Sequence, residues 1–298
     1  MLRGLYTAAS GMIAEQRRHD TVTQNISNIS TPGYKQVDTV AHSFPEMLIS
    51  LMGDKASGGT THIGKLITGV FAEESIPSFV QGDLKETGKN TDFTIISSVG
   101  LKDPKTGAQI AFDASGKYVS ANGEVIYRPQ AFFAVQDNNK NVRYTRDGSF
   151  TVNAAGELRT STGYRVLDSK GNAIVLGPGV SVDQLKSDSA GKLFTYDNTG
   201  NPVVLATLGV NVVNRPQDLI REGNGVFRVD DPKTTGVRVM NADEGVEVRQ
   251  GSLEVSNVNP LQSMVDLMAA MRAYESNQKV VQYYDKSLDK AVNEIGRV

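Results

Sequence analysis

The chain has 298 residues, room for one large domain or two ordinary ones, and its 39% hydrophobic and 21% charged content is that of a folded chain. Its 31 basic and 33 acidic side chains leave a net charge of −2, which gives no electrostatic case for a nucleic-acid or anionic-membrane partner. Cysteine is absent, so disulfides, thiolate catalysis and cysteine-based zinc sites are excluded.

In chain order, the first expected element is a helix over residues 1–31. Steps of three and four from Leu2 run through Leu5, Ala9, Met12, Gln16, His19, Thr23 and Ile26, an amphipathic stripe with a weak middle. The opening "MLRGLYTAASGMIA" loosely mimics a signal peptide, but its periodicity continues through "EQRRHD", and it is read as an uncleaved helix. The Asn-x-Ser sequons at Asn25 and Asn28 then carry no weight. "QNISNISTPGYK" ends the helix. Pro32 biases Thr31 away from the α region, and Pro32 and Gly33 fit the two central places of a type II turn. Asn25, Ser27 and Asn28 bring hydrogen-bonding side chains to the last helical turn.

Residues 32–75 read as an extended connector, with "DKASGGTTHIG" (54–64) as a mobile loop. Residues 76–245 read as a β-rich domain. Glycines at 148, 156, 163 and 171 recur every seven or eight residues, flanked by alternating Val142 and Tyr144, Phe150 and Val152, Leu158, and Tyr164 and Val166, the pattern of a β-meander. "KLFTYDNTGNPVVLATLGVNVV" and "GNGVFRVD" add strands, and 246–258 forms a return connector.

Residues 259–298 read as a long helix. Asn259 is placed to cap it, Pro260 suits the first helical position, and Gln262 has the spacing of a capping box. The stripe Met264, Leu267, Met271, Tyr274, Gln278, Val281, Asp285, Leu288, Val292, Ile295 is apolar at eight of ten positions, which is coiled-coil patterning. Such a helix would be about 55 Å long. Its most apolar window, "LQSMVDLMAAM", is too short to span a bilayer and carries Asp266.

Catalytic signatures are missing: no Walker loop, H-E-x-x-H, G-x-S-x-G or helix-opening G-x-G-x-x-G occurs. His19, His42 and His62 are scattered without i+4 partners, so no metal site and no cofactor is expected. Asp137, Asp147, Glu157 and Asp168 could supply a glycosidase-like carboxylate pair, although each lies at or beside a predicted turn, where acids serve local needs. Tyr144, Tyr164 and Phe150 are read as core.

The expected fold class is α+β: a mainly-β central domain inserted between N- and C-terminal helices that pair as a coiled coil. A heptad stripe without a partner implies self-assembly, since each buried Leu- or Met-sized side chain contributes roughly 1.5–3 kcal/mol. The assembly stripe is assigned to Leu2, Leu5, Met12, Ile26, Met264, Leu267, Met271, Tyr274, Val281, Leu288, Val292 and Ile295.

At these residues the chain resembles a known family. "LYTAASGMIAEQRRHDTVTQNISNISTPGYK" is similar to the N-terminal signature of bacterial flagellar rod and hook axial proteins, and "GSLEVSNVNPLQSMVDLMAAMRAYESNQKVVQYYDKSLDKAVNEIG" to their C-terminal one. "FVQGDLKETGKNTDF", "AFFAVQ" and "NRPQDLIREGNGVFRV" agree as well, and the likeness is to a distal-rod-type protein or a Gram-positive rod-like paralogue. The resemblance departs at about 97–129, where some thirty residues stand in for a short Gly-rich link, so an extra hairpin or lobe is expected.

The resemblance implies a structural subunit of the flagellar rod or rod–hook junction, not an enzyme. It implies assembly into a torque-transmitting tube with its own copies and other axial proteins, with no nucleic-acid or small-molecule partner. It also implies residence in the basal body after passage through the type III export apparatus without a cleaved signal. A helix-end junction is implied at Asn25, Asn28, Pro32, Gly33, Tyr34, Leu253 and Asn257. The alternative from another class is a β-rich carbohydrate-active or cell-wall-binding protein with helical oligomerisation arms.

Overall fold

A computed structural model describes residues 2–51, 61–73, 76–101, 107, 109–113, 115–120, 123–177, 180–197, 200–241 and 244–295. The fold is mixed α+β and divides into two compact units, one of Met1–Ser27, Val37–Ile76 and Asn259–Val298, the other of Asn28–Gln36 and Pro77–Val258.

The first unit is built on two long helices, Leu2–Ser27 and Pro260–Lys290. The second helix begins as its sequence requires: Asn259 Oδ1 accepts from Leu261 N–H at 3.1 Å and Gln262 N–H at 3.2 Å, and Pro260 holds the first position. The reciprocal arm of a capping box is not made, because the Gln262 amide donates forward to Asp266 Oδ2 at 3.2 Å. After Lys290 the helix loosens into a π-helical turn, Ala291–Ile295.

The helices run antiparallel. Gly4 faces Tyr284, Gly11 faces Asn277, and Arg18 reaches Asp266 at 3.3 Å, a step of seven residues along the first helix at each stage. A Cβ on Gly4 would lie 2.1 Å from Tyr284 Oη and one on Gly11 2.9 Å from Asn277 Nδ2, so the small residues let the helices approach. Two hairpins complete this unit: Ala41–Ser43 with Val70–Ala72, and Met47–Leu51 with Thr61–Leu66. Thr7 Oγ1 donates to Thr68 O at 3.0 Å and Val70 N–H to Ser10 Oγ at 3.3 Å, fastening the first hairpin to the N-terminal helix. Of the loop expected over 54–64, residues 61–64 belong to a strand; 54–60 lie outside the described residues.

The second unit is organised by the strand Gln130–Gln136, buried on both faces. Ala131, Phe133 and Val135 point into one apolar core with Phe93, Ile95, Phe150, Leu158 and Val166, while Phe132 points into another with Phe79, Tyr144 and Phe227. Period-2 alternation puts successive side chains on opposite faces, and here both faces are covered, which explains a run as apolar as "AFFAV". The strand lies in a nine-stranded sheet, bonded to Val142–Thr145, Arg165–Val166 and Val210–Val213. Of the expected meander, Phe150–Val152, Leu158–Thr160 and Arg165–Val166 pair in chain order, whereas Val142–Thr145 stands on the other side of Gln130–Gln136, bonded to it and to Val226–Arg228; Phe150, Leu158 and Tyr144 are buried.

Three turns of this unit share one form. Asp137 Oδ1 accepts from the N–H groups of Asn139 and Asn141, Asn153 Oδ1 from Ala155 and Glu157, and Asp168 Oδ1 from Lys170 and Asn172. Gly148 differs from the turn glycines. A Cβ there would stand 1.7 Å from Phe93 O, so it is required by backbone approach rather than by a turn. Within 97–129 the chain forms a small hairpin, Lys117–Val119 with Val125–Tyr127, whose Val119 and Val125 are exposed.

Candidate assembly face and chain-end junction

The C-terminal helix presents two different faces. Ser263, Leu267, Ala270, Tyr274, Asn277, Val281, Tyr284, Leu288 and Ala291 are buried or half-buried at alternating steps of three and four, the face that meets the N-terminal helix. Of the sequence-derived stripe, Leu267, Tyr274, Val281 and Leu288 lie on this face. Met264, Met271 and Val292 do not; they are exposed, as are Gln278 and Asp285. The two sets differ because the inward register takes the residue before each of those positions, where small and polar groups fit against Gly4 and Gly11. On the N-terminal helix Leu5, Met12 and Ile26 are half-buried, and the side chains of Leu2 and Ile295 lie outside the described residues.

The exposed face is itself apolar over three turns. Leu261, Met264, Val265, Met268 and Met271 are spaced at three, four and seven, and each is about half exposed or more, from 47% at Met271 to 77% at Leu261. Farther along stand Tyr283 and Val292, and on the N-terminal helix Tyr6 and Ile13, at 67% and 58% exposed. Leu261, Met264, Val265, Met268 and Met271 form a contiguous exposed apolar strip, with the exposed Arg272 and Glu275 following it in the sequence.

The junction residues fall into both units. In the first, the buried Asn25 carboxamide donates to Val37 O at 2.8 Å and accepts from Val37 N–H at 3.0 Å, closing a bridge where the strand Val37–Asp38 begins. In the second, Thr31 Oγ1 donates to Asn28 Oδ1, and Tyr34 N–H reaches Thr31 O across Pro32 and Gly33, whose φ is +69°. A Cβ on Gly33 would meet the Arg146 carbonyl carbon at 2.5 Å. Asn257 repeats the Asn25 device: its Oδ1 accepts from Gln36 N–H at 2.6 Å while its Nδ2 donates to Ser78 O and Val80 O. Leu253 pairs with Lys85 in the ladder between Ser252–Glu254 and Leu84–Glu86.

One cluster at this junction was not singled out from the sequence. Glu254 is buried between Lys35, whose Nζ donates to Oε1 at 2.7 Å, and Arg146, whose Nε lies 3.0 Å from Oε2; all three side chains are 1% exposed. Arg146 Nη1 also donates to Ala131 O, Lys35 Nζ to Val80 O, and Gly82 N–H to Glu254 Oε1. Burial, reinforced by Arg146, lowers the Lys35 pKa to about 8 against the pull of Glu254. Burial alone would raise Glu254, but Arg146 and Lys35 hold it below the ordinary carboxylate value. A signal existed: Lys35 and Glu254 are the charged residues within the otherwise uncharged stretches "STPGYKQV" and "GSLEVSNVN".

The carboxylates considered for hydrolysis are engaged locally. Asp137 and Asp168 close turns, Asp147 accepts from Ser149 N–H and from the Ser149 and Ser161 hydroxyls, and Glu157 is held by Arg159 at 2.6 Å. The hydrogen bond from Arg159 leads in lowering the Glu157 pKa, the opposite of what a general acid needs. Among the described residues, no helix is long and apolar enough to cross a membrane.

Residues 5–35 match the family described as flagella basal body rod protein, 128–204 the flagellar hook protein FlgE/F/G D1 domain, and 249–294 the flagellar basal body rod FlgEFG protein C-terminal family. The chain is 32% identical over 300 residues to the flagellar hook-basal body complex protein FlhO of Bacillus subtilis (strain 168), covering 100% of both chains. It is 29% identical to FlhP of the same organism, covering 97% of each, and 29% identical to the flagellar basal-body rod protein FlgG of Borreliella burgdorferi, covering 98% of each.

Proposed function

The chain belongs to the family of flagellar hook–basal-body rod proteins, and on that premise we propose how its helices perform the work of a structural subunit of the rod or rod–hook junction. The two helices pair within the subunit as an antiparallel coiled coil through Leu267, Tyr274, Val281 and Leu288, and the outer apolar face of the C-terminal helix joins neighbouring subunits. The supporting observation is that face: Leu261, Met264, Val265, Met268 and Met271 stand exposed together on one strip of a capped helix. Each retains about half of its surface for burial, roughly 1 kcal/mol per side chain, so several in one contact make a usable interface.

Contacts between unlike surfaces of identical subunits, where their rotation does not close a ring, build an open helical tube, which carries torque along its axis. The β-unit forms the outer layer of that tube. The helices adjoin copies of this chain and other axial proteins, and the subunit reaches the basal body through the flagellar export apparatus with its N-terminal helix uncleaved.

The test is Met271→Asp. The purified variant keeps its helical circular dichroism and thermal transition, while cells carrying it fail to incorporate the subunit and do not swim. Normal incorporation and motility would remove the outer face from the mechanism.

A further inference from the structure

The β-unit contains two buried cations, Lys35 and Arg146, that share one carboxylate, Glu254, and the three come from distant parts of the chain. Arg146 follows the strand Val142–Thr145, with its guanidinium 5.9 Å from the Phe132 ring and bonded to Ala131 O at 2.7 Å. That group does not deprotonate in proteins, so its charge has to be met in place. Lys35 enters from the N-terminal side and bonds Val80 O at 2.8 Å. Glu254, which answers both, belongs to the return strand Ser252–Glu254, paired with Leu84–Glu86.

Residues just before it are also structural. Val246 and Val248 lie in the core with Phe93 and Ile95, and Gln250 Nε2 donates to Asn90 O and Leu185 O. Missing apolar contacts would only weaken the unit. A missing Glu254 is different in kind, since it leaves Arg146 and Lys35 confined together with no counter-charge, and breaking a buried ion pair on one side is strongly destabilising.

We propose that Glu254 is the keystone of the β-unit: the sheet around Gln130–Gln136 closes as a whole only when the return strand arrives, because before then its interior would hold two uncompensated cations. A chain produced from its N-terminus therefore keeps this unit open until residue 254 has been made, although all nine strands of that sheet precede this point. This inference concerns the order of folding and holds whether or not the outer helix face joins subunits.

The test is pulsed hydrogen exchange during refolding of the full-length chain from denaturant. Amides of Gln130–Gln136 and Val210–Val213 gain protection in the same phase as those of Ser252–Glu254; protection of the first two more than about ten-fold faster overturns the proposal. In native Glu254→Gln, protection falls by about a hundred-fold or more throughout the sheet. Loss confined to residues 33–36, 79–86 and 252–257 would make the cluster a local staple and also overturn it.

If Glu254→Gln does not fold at all, the triple variant Lys35→Met, Arg146→Met, Glu254→Met decides. Removing all three charges restores sheet protection to within about ten-fold of the parent and lets Gln130–Gln136 become protected before the return strand. A triple variant that stays unfolded would show that charge is not what withholds closure.

Discussion

The side chain of Asn25 meets the backbone of Val37 as a second strand would, accepting from its N–H at 3.0 Å and donating to its C=O at 2.8 Å. Both groups are buried, and a helix cannot itself offer a strand this pair of bonds, so the amide side chain ends the helix and starts the ladder at once. Replacement by Leu leaves the Val37 donor and acceptor unmet. The expected cost is about 2–6 kcal/mol, each of the two unsatisfied groups costing roughly 1–3 kcal/mol, measured by denaturant unfolding of the full chain. Asn25→Asp retains the acceptor, loses the donor and buries a charge, and is expected to be no milder.

Leu267→Asp and Met271→Asp separate the two faces of the C-terminal helix, although the residues are one turn apart. Leu267 is half-buried on the inward face and Met271 is half-exposed on the outer one. The inward substitution places a carboxylate against the N-terminal helix, lowers the helical circular dichroism signal and costs about 3 kcal/mol or more. The outward one leaves that signal at the parental level. Equal loss of helix in both variants would refute the assignment of faces.

Alkaline pH strengthens the β-unit. Lys35 titrates at about 8 in the folded chain against 10.5 as an ordinary lysine, so between those values the unfolded chain binds the extra proton and stability rises with pH. The rise is at most about 3 kcal/mol, since one unit corresponds to 1.36 kcal/mol. In Lys35→Met this rise is absent, and unfolding midpoints in denaturant at pH 7.5, 9 and 10.5 (about those values) measure the difference. Glu254 works from the other side: its lowered pKa stabilises the fold above the ordinary carboxylate range, and that contribution fades as pH falls through the folded value.

Gly148→Ala is expected to be among the most damaging substitutions of a small residue in the β-unit. Its Cβ would stand 1.7 Å from Phe93 O and 2.7 Å from Phe93 C, and neither backbone can yield because Phe93 N–H already bonds Gly148 O at 3.0 Å. A loss of about 3 kcal/mol or more is expected in thermal or denaturant unfolding. Gly177→Ala, with nothing within 4 Å of its added carbon, serves as the control and changes stability little.

Periodicity along the chain was enough to read two terminal helices, the β-meander of 150–166 and the turn at Pro32 and Gly33, because each depends on residues within one or two turns of one another; the first helix ends at Ser27, four residues before the end read from the sequence. The cap at Asn259 was legible for the same reason. The positions 267, 274, 281 and 288 could also be placed on a contact face, since both possible heptad registers of the C-terminal helix contain them.

Which residues fill the other half of that face was decided by the opposing helix. Gly4 and Gly11 leave space that Tyr284 and Asn277 occupy, so Met264 and Met271 turn outward although they are the more apolar choice. Likewise charged residues are ordinarily exposed, and the uncharged neighbours of Lys35 and Glu254 do not by themselves say that the two meet each other and Arg146. Their burial follows from long-range strand pairing that brings three separated segments to one point, where Glu254 meets both Lys35 and Arg146.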